Sequence, residues 1–356
     1  MKKSLLLSLL ILALLGCQSE NQKEKLSYPV MPDKIVKEKY MTIWNEADNI
    51  DSPAFWNKDS LNYLFATAKT SDVIVVYDAE TGKEIKRIGK TGKANGELDR
   101  PNGIAVFKDF LFVVERDNAR LQIFSIPDFN SIGIFAKGDL IKPYGIYIDG
   151  NDSTISLYVT DNYETEDELI PPDNQLNKRV WKYLFEYKNN NFTLLAKKSF
   201  GDTKGAGVLK IVESICADPV NDNLLIADEY SSQNNIKIYD LNGKFKRIID
   251  GKGLFNTQPE GIVLYECENG NGYWIMTDQD YTNNYFNLFD RQTFKYLGRF
   301  KGSVTSNTDG IAITQRKFGA FDYGAFFAVH NDGGVSAFDL KEILDSLNQK
   351  PDCLIK

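Results

Sequence analysis

Six times along the chain an apolar run opens after a polar or acidic residue, four times with a Gly in between. The openings are "SPAFW" (52–56), "RPNGIAVF" (100–107), "KPYGIYID" (142–149), "VESICADP" (212–219), "QPEGIVLY" (258–265) and "TDGIAITQ" (308–315). Their spacing of about 40 to 50 residues is that of propeller blades. A second run follows each opening, such as "FLFVVE", "NLLIADE" or "GYWIMTD". A third often ends in an aromatic, as in "VIVVYD", "NIKIYD" and "YFNLFD". After a turn such as "AETG" or "LNG" comes a more polar fourth, "KEIKRIG" or "KFKRIID". Four short strands bounded by turn signals make one blade, and a blade buries its faces only by stacking on others. The pattern predicts an all-β chain: a six-bladed β-propeller of four-stranded antiparallel blades over 34–345. The stretch 162–178, polar and Pro-rich, interrupts the spacing and reads as an exposed loop. A single helical pattern in the mature chain, "DLKEILDSLNQ", lies near the C-terminus, ahead of a tail at 346–356.

If the blades are equivalent, the residues ahead of the Gly meet at one mouth of the central channel. They are Asn102, Tyr144, Glu213, Glu260 and Asp309, with Asp51 in the matching place of the first unit. Four of the six are carboxylates. An isolated acid at a strand start would only bind channel water. Four facing one another in low dielectric repel unless protonated or bridged by a cation. Oxygen-only ligands suit a hard cation, and Ca²⁺ accepts irregular cages better than Mg²⁺ does.

Composition narrows the partners. The 356 residues carry a formal net charge of −7, with 12% aromatics and 26 Gly, a folded and β-rich balance. The acidic balance argues against nucleic acid. The N-terminus, "MKKSLLLSLLILALLGCQSE", resembles a bacterial lipoprotein signal with lipid on Cys17, so that 1–17 is signal and 18–33 a flexible tether. The expected place is then the bacterial cell envelope, anchored in a membrane only through lipid, and the expected state a monomer. An ordinary secretory signal or a membrane anchor remains as the alternative. No other segment reaches the roughly 18 apolar residues of a span. Cys216, Cys267 and Cys353 form no disulfide framework or C-x-x-C metal site by spacing, and the first two read as core residues.

Four stretches, "DSPAFW", "ESICADPVNDNLLIADE", "PEGIVLYECENGNGYWIMTDQ" and "NTDGIAITQRKFGAFDYGAFFAVHND", resemble the β-propeller phytases, calcium-dependent alkaline phytases of bacteria. The likeness covers roughly residues 45–340 and is strongest in the last three units. It implies a 3-phytase-like phosphomonoester hydrolase that releases phosphate from phytate, an inositol phosphate, by water activated on Ca²⁺. Carried over by position, it implies metal ligands Asp51, Glu213, Glu229, Glu260 and Asp309. It also implies a catalytic set of Glu213, Glu260, Tyr144 and the phosphate-contacting Lys69 and Arg116. Three acids of the family pattern are replaced here, by Ser52, Gln258 and Asn307, and "DRPNGIAVF" with "RLQIFS" is closer to NHL-repeat propellers.

Phosphatase chemistry is compatible with an acidic protein only through cations that invert the local field. Other chemistries fit poorly. His330 stands alone, which leaves histidine-dependent hydrolysis and zinc clusters without partners. "GKTGKANG" (89–96) opens no helix after a Gly-Lys-Ser/Thr and reads as an interblade loop. Two alternatives remain. One is a non-catalytic, NHL-like propeller that binds a protein or glycan. The other is a sugar lactonase with one Ca²⁺ among Glu213, Asn102 and Asp309.

Overall fold

The computed structural model describes residues 33–189, 191–267 and 270–349. The expected signal, the expected lipidation at Cys17 and the expected tether lie outside them apart from Asp33, as does Cys353. Among the described residues no helix is long and apolar enough to cross a membrane.

Six sheets of at least four strands surround one axis. Blade 1 runs Ile50–Lys58, Leu61–Ala68, Val73–Asp78 and Glu84–Ile88. Blades 2, 3 and 4 begin with Pro101–Phe107, Pro143–Gly150 and Val212–Asp218, and each adds three more antiparallel strands. Blade 5 begins with Gln258–Glu266 and blade 6 with Ile311–Thr314. The six-bladed propeller expected from the repeat is thus the fold.

The chain closes its own ring. Blade 6 takes three strands from the C-terminal end and its outer strand, Tyr40–Met41, from the N-terminal part of the chain. Lys39 N and Thr42 N donate to Ala337 O and Val335 O at 2.7 and 2.9 Å. Lys34–Ile35 adds a parallel fifth strand to blade 5. Pairing both ends of the chain into blades covers edges that would otherwise be open to other strands.

Alternation along the strands sends one face of each blade against the next. The buried apolar side chains accordingly fall into six clusters, one per blade-to-blade interface. The first strands line the channel, whose apolar part of about 300 Å³ is walled by residues such as Ala54, Ile146, Cys216 and Val263.

Three expectations change. The 162–178 insertion is not simply exposed. Leu176 is fully buried, Tyr163 Oη donates to Gln175 O at 2.5 Å, and the buried Arg179 donates to Tyr163 O at 2.7 Å and Lys210 O at 2.6 Å. Charge and Pro content hid these apolar anchors. Cys267 is disulfide-bonded rather than a plain core residue, whereas Cys216 is free and buried beside the channel. The C-terminal helix is Leu340–Ser346, capped by Asp339 and buried through Leu340, Ile343 and Leu344, so residue 346 belongs to the helix and not to a tail.

Candidate metal centre

The residues at the strand openings do converge. Asp51, Tyr144, Glu213, Glu260 and Asp309 line one small cavity of about 20 Å³ at the mouth of the channel. That volume suits a single water-sized occupant. Asn102 is fully buried, with neither amide atom partnered, but does not line this cavity.

Local backbone geometry aims these side chains. In blades 1 to 5 the ladder register shifts at the ring residue: between Ile50 and Pro53, Pro101 and Ile104, Pro143 and Ile146, Val212 and Ile215, and Pro259 and Ile262. A bulge of this kind redirects a side chain while the strand continues. The backbone groups it frees are met by threonines of the second strands. Thr160 Oγ1 accepts from Gly145 N at 2.7 Å and donates to Glu213 O of the next blade at 2.7 Å. Thr67 Oγ1 accepts from Ser52 N at 3.0 Å and donates to Asn102 O at 2.6 Å. The Gly is required because the neighbouring blade's ring carbonyl abuts it. A Cβ on Gly145 would lie 2.3 Å from Glu213 O, and one on Gly310 2.5 Å from Asp51 O.

The ring divides electrostatically into two halves. On one side Lys69 Nζ lies 2.8 Å from Asp51 Oδ1 and 3.2 Å from Asp309 Oδ2. Ser52 Oγ donates to Asp51 Oδ2 at 2.8 Å, and Gln279 Nε2 donates to Asp309 Oδ1. Every carboxylate oxygen on that side has a donor. Burial nonetheless pushes Asp309 up to about 7, against the opposing pull of Lys69. The Lys69 ammonium is held charged by Asp51 and Asp309 against its own burial.

On the other side Glu213, Glu229 and Glu260 each offer an oxygen within 4.8 Å of the others. Gln258 Nε2 donates to Glu229 Oε2 at 3.1 Å. Glu229 Oε1 is buried and meets no N–H or O–H donor of the chain's neutral groups. A proton shared between carboxylates, a water or a cation satisfies it. Burial pushes Glu229 up to about 7. Burial and then Glu229 drive Glu213 and Glu260 well above the ordinary carboxylate range. Burial, reinforced by Glu213, keeps the Tyr144 phenol protonated. Three carboxylates within reach of one another and one orphaned oxygen fit a divalent cation, beside the small cavity that Glu213 and Glu260 line and Glu229 does not.

Arg116 holds in blade 2 the place of Lys69 in blade 1 and Glu229 in blade 4: the three backbone N–H groups donate to Arg100 O, Asn49 O and Ile211 O. The Arg116 guanidinium pairs with the adjacent Asp117 at 2.7 Å, on the loop after blade 2's second strand. His330 Nδ1 accepts from Ser306 N at 3.1 Å, a structural role. In the 89–96 loop, the carbonyls of Lys93 and Ala94 accept from Arg120, the reverse of a phosphate-binding loop. Sequence reading missed Gln279 and Asp332. Asp332 lies near Asp51 and Lys69 and accepts from Asn307 Nδ2 at 3.3 Å. It also missed the threonine rivets, although the Thr of "FATA" and "YVTD" holds the same place in both runs.

Comparison with known proteins gives a likeness of fold and a family match over part of the chain. No curated protein sequence matches the chain. A hydrazine synthase structure from Kuenenia stuttgartiensis is similar at 13% identity and a TM-score of 0.51, over 86% of this chain and 81% of that one, a likeness of fold alone. A nidogen/laminin complex structure aligns at 18% identity and a TM-score of 0.48, over 74% of this chain and 84% of that one. Residues 202–338 match the Phytase family model, and Glu213, Glu229 and Glu260 all fall within them. This segment, blades 4 to 6 with the glutamate trio, is thus similar to the phytases, and the six-bladed propeller is the fold of the β-propeller members.

Proposed function

We propose that the protein is a Ca²⁺-dependent phosphomonoester hydrolase of the phytase type, acting on an inositol phosphate such as phytate. The observation that carries this reading is the trio Glu213, Glu229 and Glu260, with an unsatisfied buried oxygen, inside the segment matched to phytases. An all-oxygen, irregular ligand set favours Ca²⁺ over softer or strictly octahedral ions. A bound cation supplies the positive charge that lets a phosphate monoester approach an acidic mouth and that favours attack by water near neutral pH.

The chain's own groups do the positioning. The three glutamates hold the cation side of the mouth at a fixed depth, set by the bulges of blades 4 and 5. The Tyr144 phenol, kept protonated, is a hydrogen-bond donor at the cavity wall. Thr160 fixes the Glu213 backbone through its carbonyl. The proposal includes a place at the cell envelope, tethered through lipid on Cys17, a reading supported by the lipoprotein-like N-terminal stretch.

The test is phosphate release from phytate and from a simple phosphomonoester by the full chain, with Ca²⁺ and then with excess chelator. We expect release that chelator abolishes and that Glu260→Gln lowers at least about 10-fold, the effect of one charged ligand. Absence of release with Ca²⁺ on both substrates overturns the reading.

A further inference from the structure

The phytase pattern places acids where this chain has Ser52, Gln258 and Asn307. The structure shows what each replacement does. Ser52 Oγ donates to Asp51 at 2.8 Å, Gln258 Nε2 to Glu229 at 3.1 Å, and Asn307 Nδ2 to Asp332 at 3.3 Å. Each lost acid has become a donor to an acid that remains. The changes share one direction: fewer negative charges at the mouth, and fewer carboxylate oxygens open to a cation.

Lys69 completes this on one side. Its ammonium sits between Asp51 and Asp309, almost fully buried, in the place a cation bridging those two acids would need. With Ser52 and Gln279 it fills all four oxygens of that pair. A divalent cation could enter there only by displacing an almost fully buried ammonium from both acids. Opposite, Lys69 acts on Glu213 only through its field, its ion-pair contacts being to Asp51 and Asp309.

We propose that Lys69 is an internal counter-ion that closes the Asp51–Asp309 side of the mouth to divalent cations, so that the mouth holds one cation, between Glu213, Glu229 and Glu260. This rests on the metal centre of the proposed function but not on catalysis. Lys69 is then a positioning residue of the ring rather than a phosphate contact.

The experiment counts cations. Ca²⁺ is titrated into the metal-free full chain by calorimetry at pH 7.5, with Glu229→Gln as the control that identifies ions bound at the mouth. We expect one Ca²⁺ per chain to weaken at least about 10-fold in Glu229→Gln. Lys69→Met frees Asp51 and Asp309, and a second Ca²⁺ should then bind, insensitive to Glu229→Gln. Two or more mouth-bound ions in the wild type overturn the proposal. So does a folded Lys69→Met chain, checked by circular dichroism, that still binds one. If that variant does not fold, the wild-type count and Lys69→Arg decide: the arginine keeps the charge and should keep one ion. One ion bound without phosphate release would sink the proposed function and leave this inference standing. Two ions with release would do the reverse. No ion at all refutes both.

Discussion

Glu260→Gln should stabilise the metal-free protein and lose most or all of that gain in calcium. In the metal-free protein, burial and then Glu229 and Glu213 oppose ionisation of Glu260. Its folded pKa is therefore raised above the unfolded value. The stability it contributes is fully present below about pH 4.5 and is lost as pH rises towards the folded value. Each pH unit of that interval costs about 1.4 kcal/mol. At pH 7.5 the ceiling is about 4 kcal/mol. Coulomb's law gives a similar scale: two ionised carboxylate oxygens 4.8 Å apart repel by roughly 3.5 kcal/mol at an effective dielectric near 20. Glutamine carries no charge, so the variant should gain about 2 kcal/mol in chelator once local relaxation is allowed for. In saturating Ca²⁺ that gain is offset by weaker binding. One charged ligand is worth about 1.5–3 kcal/mol, so Ca²⁺ affinity should fall about 10- to 100-fold. Urea unfolding at pH 7.5, with chelator and with Ca²⁺, reads both arms. Equal destabilisation in both arms would show that the trio is no repelling cluster. An unchanged calcium response would show that Glu260 is no ligand.

Two further substitutions test the frame. Gly145→Ala brings a methyl against the Glu213 carbonyl, a backbone atom that cannot swing aside. It should cost about 2 kcal/mol in urea unfolding and weaken Ca²⁺ binding by displacing Glu213, whereas an effect below about 0.5 kcal/mol would contradict the close blade contact. Arg291 lies fully buried on Asp218, donating at 2.8 and 2.6 Å, so Arg291→Met strands a buried charge and should cost about 3–5 kcal/mol with no change in cation count.

The propeller was legible because every blade restates it. Strand openings, aromatic third strands and turns recur, so a miscount in one unit is corrected by the others. The glutamate trio was legible for the same reason, except Glu229. That residue follows the second strand of blade 4 rather than opening a first strand, and only family resemblance marked it. Lys69 illustrates what sequence could not show. It follows the second strand of blade 1 and meets Asp309, 240 positions away. No periodicity relates them, because closure of a ring is a property of the whole circuit. The closing strand Tyr40–Met41 was hidden likewise, since two residues carry no pattern.

Lys69 has a second consequence, because Asp51 belongs to blade 1 and Asp309 opens blade 6. Five blade junctions join consecutive stretches of chain, but the junction of blades 6 and 1 is where the circuit meets itself. It is held by Tyr40–Met41, by Gly310 N donating to Asp51 O at 2.9 Å, by the apolar cluster shared by the two blades, and by the Lys69 bridge. In Lys69→Met, without calcium, two buried aspartates lose the ammonium that bridges them. The cost should be about 3–5 kcal/mol, as for removal of one partner of a buried pair. That loss should be local before it is global. Amide hydrogen exchange should quicken first at 40–42, 50–54 and 309–314, while the blade 2–3 and 3–4 junctions keep their wild-type protection. Added Ca²⁺ should restore protection at the seam, because a cation between Asp51 and Asp309 replaces the missing charge. Exchange that quickens evenly around the ring would mean that Lys69 contributes general stability and has no special part in closing the circuit.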